Sequence, residues 1–296
     1  METDHQYQSS SETIMASLLT LTPTQFSYLS HTLSSDFHIQ THRLYSLLSS
    51  PLRFAHTLQF LQTLSLHDKT LLIARYLQRT LKQLTNTWET ETHASPNTGY
   101  SYSNRLRLRE YDAVSLLLLL CEVYQYNSQF LQTYSLMEWR EILNDYVFNN
   151  TLMSISGMGF SCTSLVLCPY IDSVIKCKRF LDTMMSCSVG HNKQVVAAAS
   201  ALAVVSLRSV QVSNENGSNG VDPVFCVICK EEMKQGRDVC EMPCKHLFHW
   251  ICILPWLKKR NTCPCCRYQM PTEDVFGEID RLWGVLINKD CCRLRN

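Results

Sequence analysis

Apolar residues recur at helical spacing through most of the first two hundred positions. Thr22-Pro23-Thr24-Gln25 predicts a helix start, with proline at the first helical position and Gln25 placed for a capping box. Phe26, Leu29 and Leu33 follow on one face. Residues 39–48 continue the pattern and stop at Ser-Ser-Pro. Residues 51–64 put Phe54, Leu58 and Leu61 together, and residues 68–84 do the same with Leu72, Tyr76 and Leu84. Further helices are predicted over 110–126, 136–148, 166–187 and 193–208. Residues 85–104, with Ser95-Pro96-Asn97 and Gly99, read as a loop, and 151–160, with Gly157 and Gly159, as a turn. There is no fixed-period repeat. The expectation is an all-α domain over residues 13–212, preceded by a disordered polar start over 1–12.

Punctuation is clearest at Ser213 to Gly220, SNENGSNG, which has nothing apolar to bury and is expected to be a linker. Past residue 272 the helical period returns, with Ile279, Leu282, Trp283, Leu286 and Ile287 on one side. That stretch makes residues 273–296 a C-terminal helix and tail. Two apolar runs, 113–121 and 195–207, fall short of the roughly 20 residues a bilayer span needs. Buried core helices are expected there, with no transmembrane span.

Composition adds bounds. A chain of 296 residues has room for about two domains, and 45% hydrophobic content supplies a core. A net charge of +1 gives no general attraction to nucleic acid or to a membrane. The start lacks the basic and apolar regions of a secretory signal. Residues 9–35 are rich in Ser and Thr but hold no Arg and are already periodic, so packed helix is expected there rather than a transit peptide.

The 15 cysteines change the picture, because they cluster. Between residues 226 and 266 lie Cys226, Cys229, Cys244, His246, His249, Cys252, Cys263 and Cys266, enough donors for two tetrahedral zinc sites. A disulfide framework suits small secreted domains better than a chain of this length. Cys121, Cys162, Cys168, Cys177 and Cys187, scattered among apolar residues, read as buried structural thiols. Four protein ligands per ion leave no position for a reactive water, so the zinc is structural.

This stretch, residues 221–272, resembles the RING finger family, in the form with histidines at the fourth and fifth ligand positions. The resemblance implies a cross-braced pairing: Cys226, Cys229, His249 and Cys252 on one zinc, and Cys244, His246, Cys263 and Cys266 on the other. A second parse, with Cys240 in place of His246, resembles a PHD finger, a reader of histone tails. That pattern calls for an aromatic residue where Asn261 stands, whereas the RING markers Ile228, Trp256, Pro264 and Arg267 are all present. By resemblance, Ile228, Trp256 and Pro264 receive a ubiquitin-conjugating enzyme, and Arg267 is the linchpin that holds its attached ubiquitin ready for transfer.

Other residues read more simply. Residues 250–257 form a short helix without a basic side chain, which argues against nucleic acid. Phe248 is expected in the core, Cys240 and Cys265 as non-ligand thiols, and Lys258-Lys259-Arg260 as a solvated face. The expected fold is mainly α: a helical domain, a linker, a small α+β zinc module and a final helix. The expected function is RING-type ubiquitin ligation with two zinc ions. Its partners would be a conjugating enzyme, ubiquitin and a protein substrate. The alternatives are a non-catalytic adaptor and the histone reader. The early segments MASLLTLTPTQFSYLS and RLYSLLSSP, taken with the finger, resemble plant ligases of shoot gravitropism associated with amyloplasts. That resemblance implies a cytosolic protein at the plastid surface.

Overall fold

A computed structural model describes residues 2–89, 106–126, 134–156, 162–187, 197–211, 224–233 and 238–288. It divides into two units, residues 1–189 with 282–296, and residues 190–281.

The first unit is helical. Its elements are α1 (Glu2–Leu18), α2 (Pro23–Ser49), α3 (Pro51–Thr63), α4 (Leu66–Glu89), α5 (Leu108–Tyr126), α6 (Leu136–Ser156) and α7 (Cys162–Cys187). Thr22 caps α2 as its sequence predicts: its hydroxyl accepts from Gln25 N–H, and the Gln25 side chain accepts from Thr22 N–H at 2.9 Å. The two helices expected over residues 22–48 are one, because nothing within them breaks the backbone bonding. Pro51 ends it by forcing Ser50 into an extended conformation, φ −103° and ψ 109°, and the Ser50 hydroxyl then caps α3.

The polar start expected to lack structure is helical from Glu2. Buried Ile14, Ser17 and Leu18 anchor its C-terminal end, and helix propagation carries the bonding back into the polar residues. Likewise α4 runs five residues past its expected end, to Glu89, and α6 runs through residues 151–156 where a turn was expected. The remaining parts of both expected loops, 90–104 and 157–160, lie largely outside the described residues.

Helix α7 packs against α4, α2 and α1, while α3 lies on α5 and α2 also meets α6. Leu167, Tyr170, Ile171, Val174, Ile175, Cys177 and Leu181 are buried along α7 at helical spacing. Polar bonds also tie α4 to α7 and α2. Tyr170 Oη donates to Gln83 Oε1 at 2.6 Å, Tyr76 Oη donates to Gln40 Oε1 at 2.9 Å, and Gln83 Nε2 meets Asp36 Oδ2. Burial pushes the Tyr170 and Tyr76 phenols far above their usual range, so both remain neutral donors. Of the scattered thiols, Cys177 is buried as expected and Cys121 is half-buried, but Cys168, in the first turns of α7, is exposed.

The second unit holds helix α8 (Ala201–Val205), strand β1 (Arg208–Val210), β2 (Val239–Glu241), β3 (Leu247–His249) and helix α9 (Trp250–Leu257). The strands form one antiparallel sheet in the order β1-β2-β3, with Ser209 opposite Cys240 and Cys240 opposite Phe248. This corrects the expected long core helix over 193–208. Among its described residues, 197–208, five are helical, and Val205 is 82% exposed. Local helix propensity is overridden by tertiary pairing, since Arg208–Val210 join the edge that β2 offers. The helical domain was expected to reach residue 212, yet residues 197–211 belong to the zinc-bearing unit. The expected linker at 213–220 lies outside the described residues.

Helix α10 (Val275–Asn288) is shared: through Arg281 it belongs to the second unit and from Leu282 to the first. In the first unit the Ser17 hydroxyl donates to Leu286 O at 2.7 Å, and Lys178 Nζ sits 5.9 Å from the centre of the Trp283 ring. In the second, Asp274 Oδ2 caps the helix by accepting from Gly277 N–H at 2.7 Å.

Candidate zinc centre and its surface

Three tight turns make the site. In the first, Cys226 O accepts from Lys230 N–H at 2.7 Å, and Cys226 N–H donates to Glu231 O at 2.9 Å. The third repeats it: Cys263 O accepts from Arg267 N–H, and Cys263 N–H donates to Tyr268 O, both at 2.9 Å. Between them, Met242 O accepts from Lys245 N–H at 2.8 Å, setting Cys244 and His246 on either side of Lys245. Each turn requires a left-handed residue, and Lys230, Lys245 and Arg267 take it at φ 62°, 67° and 60°. None is glycine, so each carries backbone strain of roughly 1 kcal/mol.

These turns, with β3 and α9, gather two groups of donors. Cys226, Cys229, His249 and Cys252 form one, and Cys244, His246, Cys263 and Cys266 the other, with the donor atoms of each group all within 4.8 Å of one another. Both histidines present Nδ1: His249 lies 3.4 Å from Cys229 Sγ and His246 lies 3.4 Å from Cys244 Sγ. Burial, then crowding by neighbouring thiols, pushes the Cys244 and Cys252 thiols up to about 12. Such a set cannot ionise together unaided, and a divalent cation is what lets thiolates sit side by side. Two thiol-rich tetrahedral sets of this kind fit zinc.

Cys240 belongs to neither group. It is fully buried in β2 within the core formed by Leu207, Met233, Val239, Phe248, Ile253 and Leu257. Burial pushes its thiol up to about 12. The histone-reader pairing therefore fails on geometry: the strand turns Cys240 inward while His246 faces the second thiol set.

The first and third donor pairs, Cys226 with Cys229 and His249 with Cys252, share one group, and the second and fourth share the other, so the two sites interleave along the chain. That cross-brace is the RING finger arrangement. The Ring finger domain family matches residues 225–267. Over 284 residues, covering 93% of this chain and 94% of the relative, the chain is 47% identical to the E3 ubiquitin-protein ligase SGR9, amyloplastic, of Arabidopsis thaliana. It is 48% identical over 75 residues to the E3 ubiquitin-protein ligase RNF181 of Danio rerio, a match covering 25% of this chain and 46% of that one. A third match, 40% over 83 residues, is to the E3 ubiquitin-protein ligase RING1-like of Arabidopsis thaliana, covering 28% and 25% of the two chains. The chain belongs to the RING-type E3 ubiquitin-protein ligases, with its likeness to the amyloplastic Arabidopsis ligase running through both units.

Several apolar side chains are exposed beside the zinc sites, among charged ones. Ile228 is 38% exposed at the tip of the first turn, beside exposed Val227, and Pro264 is half-buried in the third. Trp256 is half-buried on α9, packed against the core on one side. Its indole N–H donates to Thr262 O at 2.7 Å, and the Arg260 guanidinium lies 5.2 Å from its ring centre. Arg260, expected to be only solvated, thus covers one face of Trp256. Arg267 is exposed, its backbone committed to the turn. Among the described residues, no helix is long and apolar enough to cross a membrane. Sequence reasoning missed residues 197–211, whose apolar run carries no metal ligand to mark it as part of this unit.

Proposed function

We propose that this chain ligates ubiquitin by docking a charged conjugating enzyme on Ile228, Trp256 and Pro264, with Arg267 reaching across to its ubiquitin. The observation that carries this reading is that exposed Ile228 and half-buried Pro264 and Trp256 stand on two zinc turns and one helix that the donor sets hold in one unit, with the exposed Arg267 on the third turn. Exposed apolar clusters mark docking sites, and Trp and Arg are common anchors. The zinc ions supply rigidity. Cys226, Cys229, His249 and Cys252 hold one, and Cys244, His246, Cys263 and Cys266 the other.

Transfer then depends on orientation. Lysine on the substrate attacks the thioester, the conjugating enzyme's cysteine leaves, and an isopeptide bond forms with no bond to the ligase. Immobilising the flexible ubiquitin raises the share of reactive geometries. Arg267 suits that task, since its planar guanidinium donates in a fixed fork. The helical unit selects the substrate or the location. The likeness to a ligase named amyloplastic, running through that unit, supports action at the cytosolic face of plastids, in gravitropism. A protein substrate rather than nucleic acid agrees with the near-neutral charge.

Autoubiquitination tests the reading. The wild-type chain, supplied with activating enzyme, conjugating enzyme, ubiquitin and ATP, should build ubiquitin chains. Combined Ile228→Ala and Arg267→Ala should lower the rate by about a hundredfold, roughly ten for each lost contact. Full activity in that double variant would leave the adaptor reading in its place.

A further inference from the structure

The Ring finger domain match begins at Phe225, but residues 197–211 are built into the same unit and lie outside it. Two of their backbone bonds reach the C-terminal end of α9. Ala199 N–H donates to Leu257 O at 2.9 Å, and Ala197 O accepts from Asn261 N–H at 2.9 Å. A helix leaves its last carbonyls without partners, so an outside donor at Leu257 fixes where the helix ends. A third bond, Ser200 N–H to Pro271 O at 2.8 Å, ties the same segment to the chain leaving the last zinc turn. Leu207 then enters the core, and β1 closes on β2. None of these bonds ends on a donor of either zinc set. Two of them land instead within the stretch from Trp256 to Thr262, and the Thr262 carbonyl holds the Trp256 indole N–H.

We propose that residues 197–211 are a positioning strap for Trp256, setting the end of α9 and the turn after it in the orientation the conjugating enzyme meets. This rests on the assignment of Trp256 to the docking platform. The strap acts through α9 and touches neither enzyme nor ubiquitin.

The test uses the full chain with two independent strap variants. Ser200→Pro suits the backbone, since Ser200 already has φ −64°, and it deletes the N–H bonded to Pro271. Leu207→Ala removes the strap's buried anchor. Three quantities are measured: zinc per chain, the indole N–H resonance of Trp256 (assigned by its loss in Trp256→Phe), and discharge of ubiquitin from a charged conjugating enzyme to free lysine. Both strap variants should keep two zinc ions, shift that one indole signal, and slow discharge about tenfold or more at sub-saturating charged enzyme. Normal discharge in both variants overturns the proposal. So does loss of zinc in both, which would make the strap a mere part of the metal fold. If one variant alone loses zinc, the other decides. Trp256→Ala is run alongside: normal discharge there sinks the platform reading itself, whatever the strap variants do.

Discussion

Arg267 combines two properties that can be separated. Its backbone is left-handed at φ 60°, which glycine adopts without strain, while its side chain is exposed. Arg267→Gly should therefore leave the zinc module as stable or more stable, by up to about 1 kcal/mol, while transfer falls as far as in Arg267→Ala. Thermal melts read the first and lysine discharge the second. A similar contrast holds for Cys240 and His246. Cys240→Ala should retain two zinc ions per chain, whereas His246→Ala should release one, as counted by a chromogenic chelator. Acid should do the same to the whole set. Zinc binding displaces thiol protons, and Cys244 and Cys252 hold theirs up to about 12, so affinity falls as pH falls. More zinc should be released at pH 5.5 than at pH 7.5. These residues were legible because metal chemistry restricts donor type and spacing. The left-handed turns were not, since lysine and arginine carry none of glycine's signal.

Helix α10 shows what an element adds to a pattern. Its apolar stripe was readable, with Ile279, Leu282 and Leu286 now buried. Its polar anchor was not. Glu278 and Arg281 are both buried and paired through two bonds, 3.0 Å from Arg281 Nε to Glu278 Oε2 and 2.9 Å from Nη2 to Oε1. Glu278 Oε2 also accepts from Thr272 N–H at 3.0 Å. Their i, i+3 spacing is common on solvent-facing helices, and only the neighbours make the pair interior. Arg281→Met should leave a buried carboxylate without its cation and cost about 3 kcal/mol, measured by denaturant titration of the holo chain. The double change Glu278→Gln with Arg281→Met should recover part of that loss. Helix ends follow the same lesson: α2 began where its capping box predicted, while α4 and α6 outran their expected limits, because backbone bonding once begun propagates past weak loop signals.

At the scale of the molecule, the two units draw stability from different sources. The helical unit has its own apolar interior, from Ile14 to Leu181. The zinc unit has a far smaller one, and its ions stand in for missing core. A strong chelator should therefore unfold the second unit and abolish transfer, while most helical circular dichroism remains. Loss of the whole helical signal at low chelator concentration would contradict that independence.

The amino-acid pattern alone determined the helical class of the first two-thirds and the donors of both metal sites. Period and donor spacing are local properties, set by the geometry of a helix turn and the reach of two thiols to one ion. Only the folded chain decided that residues 197–211 serve the zinc unit, that Cys240 turns inward, and that Glu278 and Arg281 are interior. Those outcomes depend on which backbone edges and side chains meet across long separations, and a short apolar run carries no mark of the partner it will find.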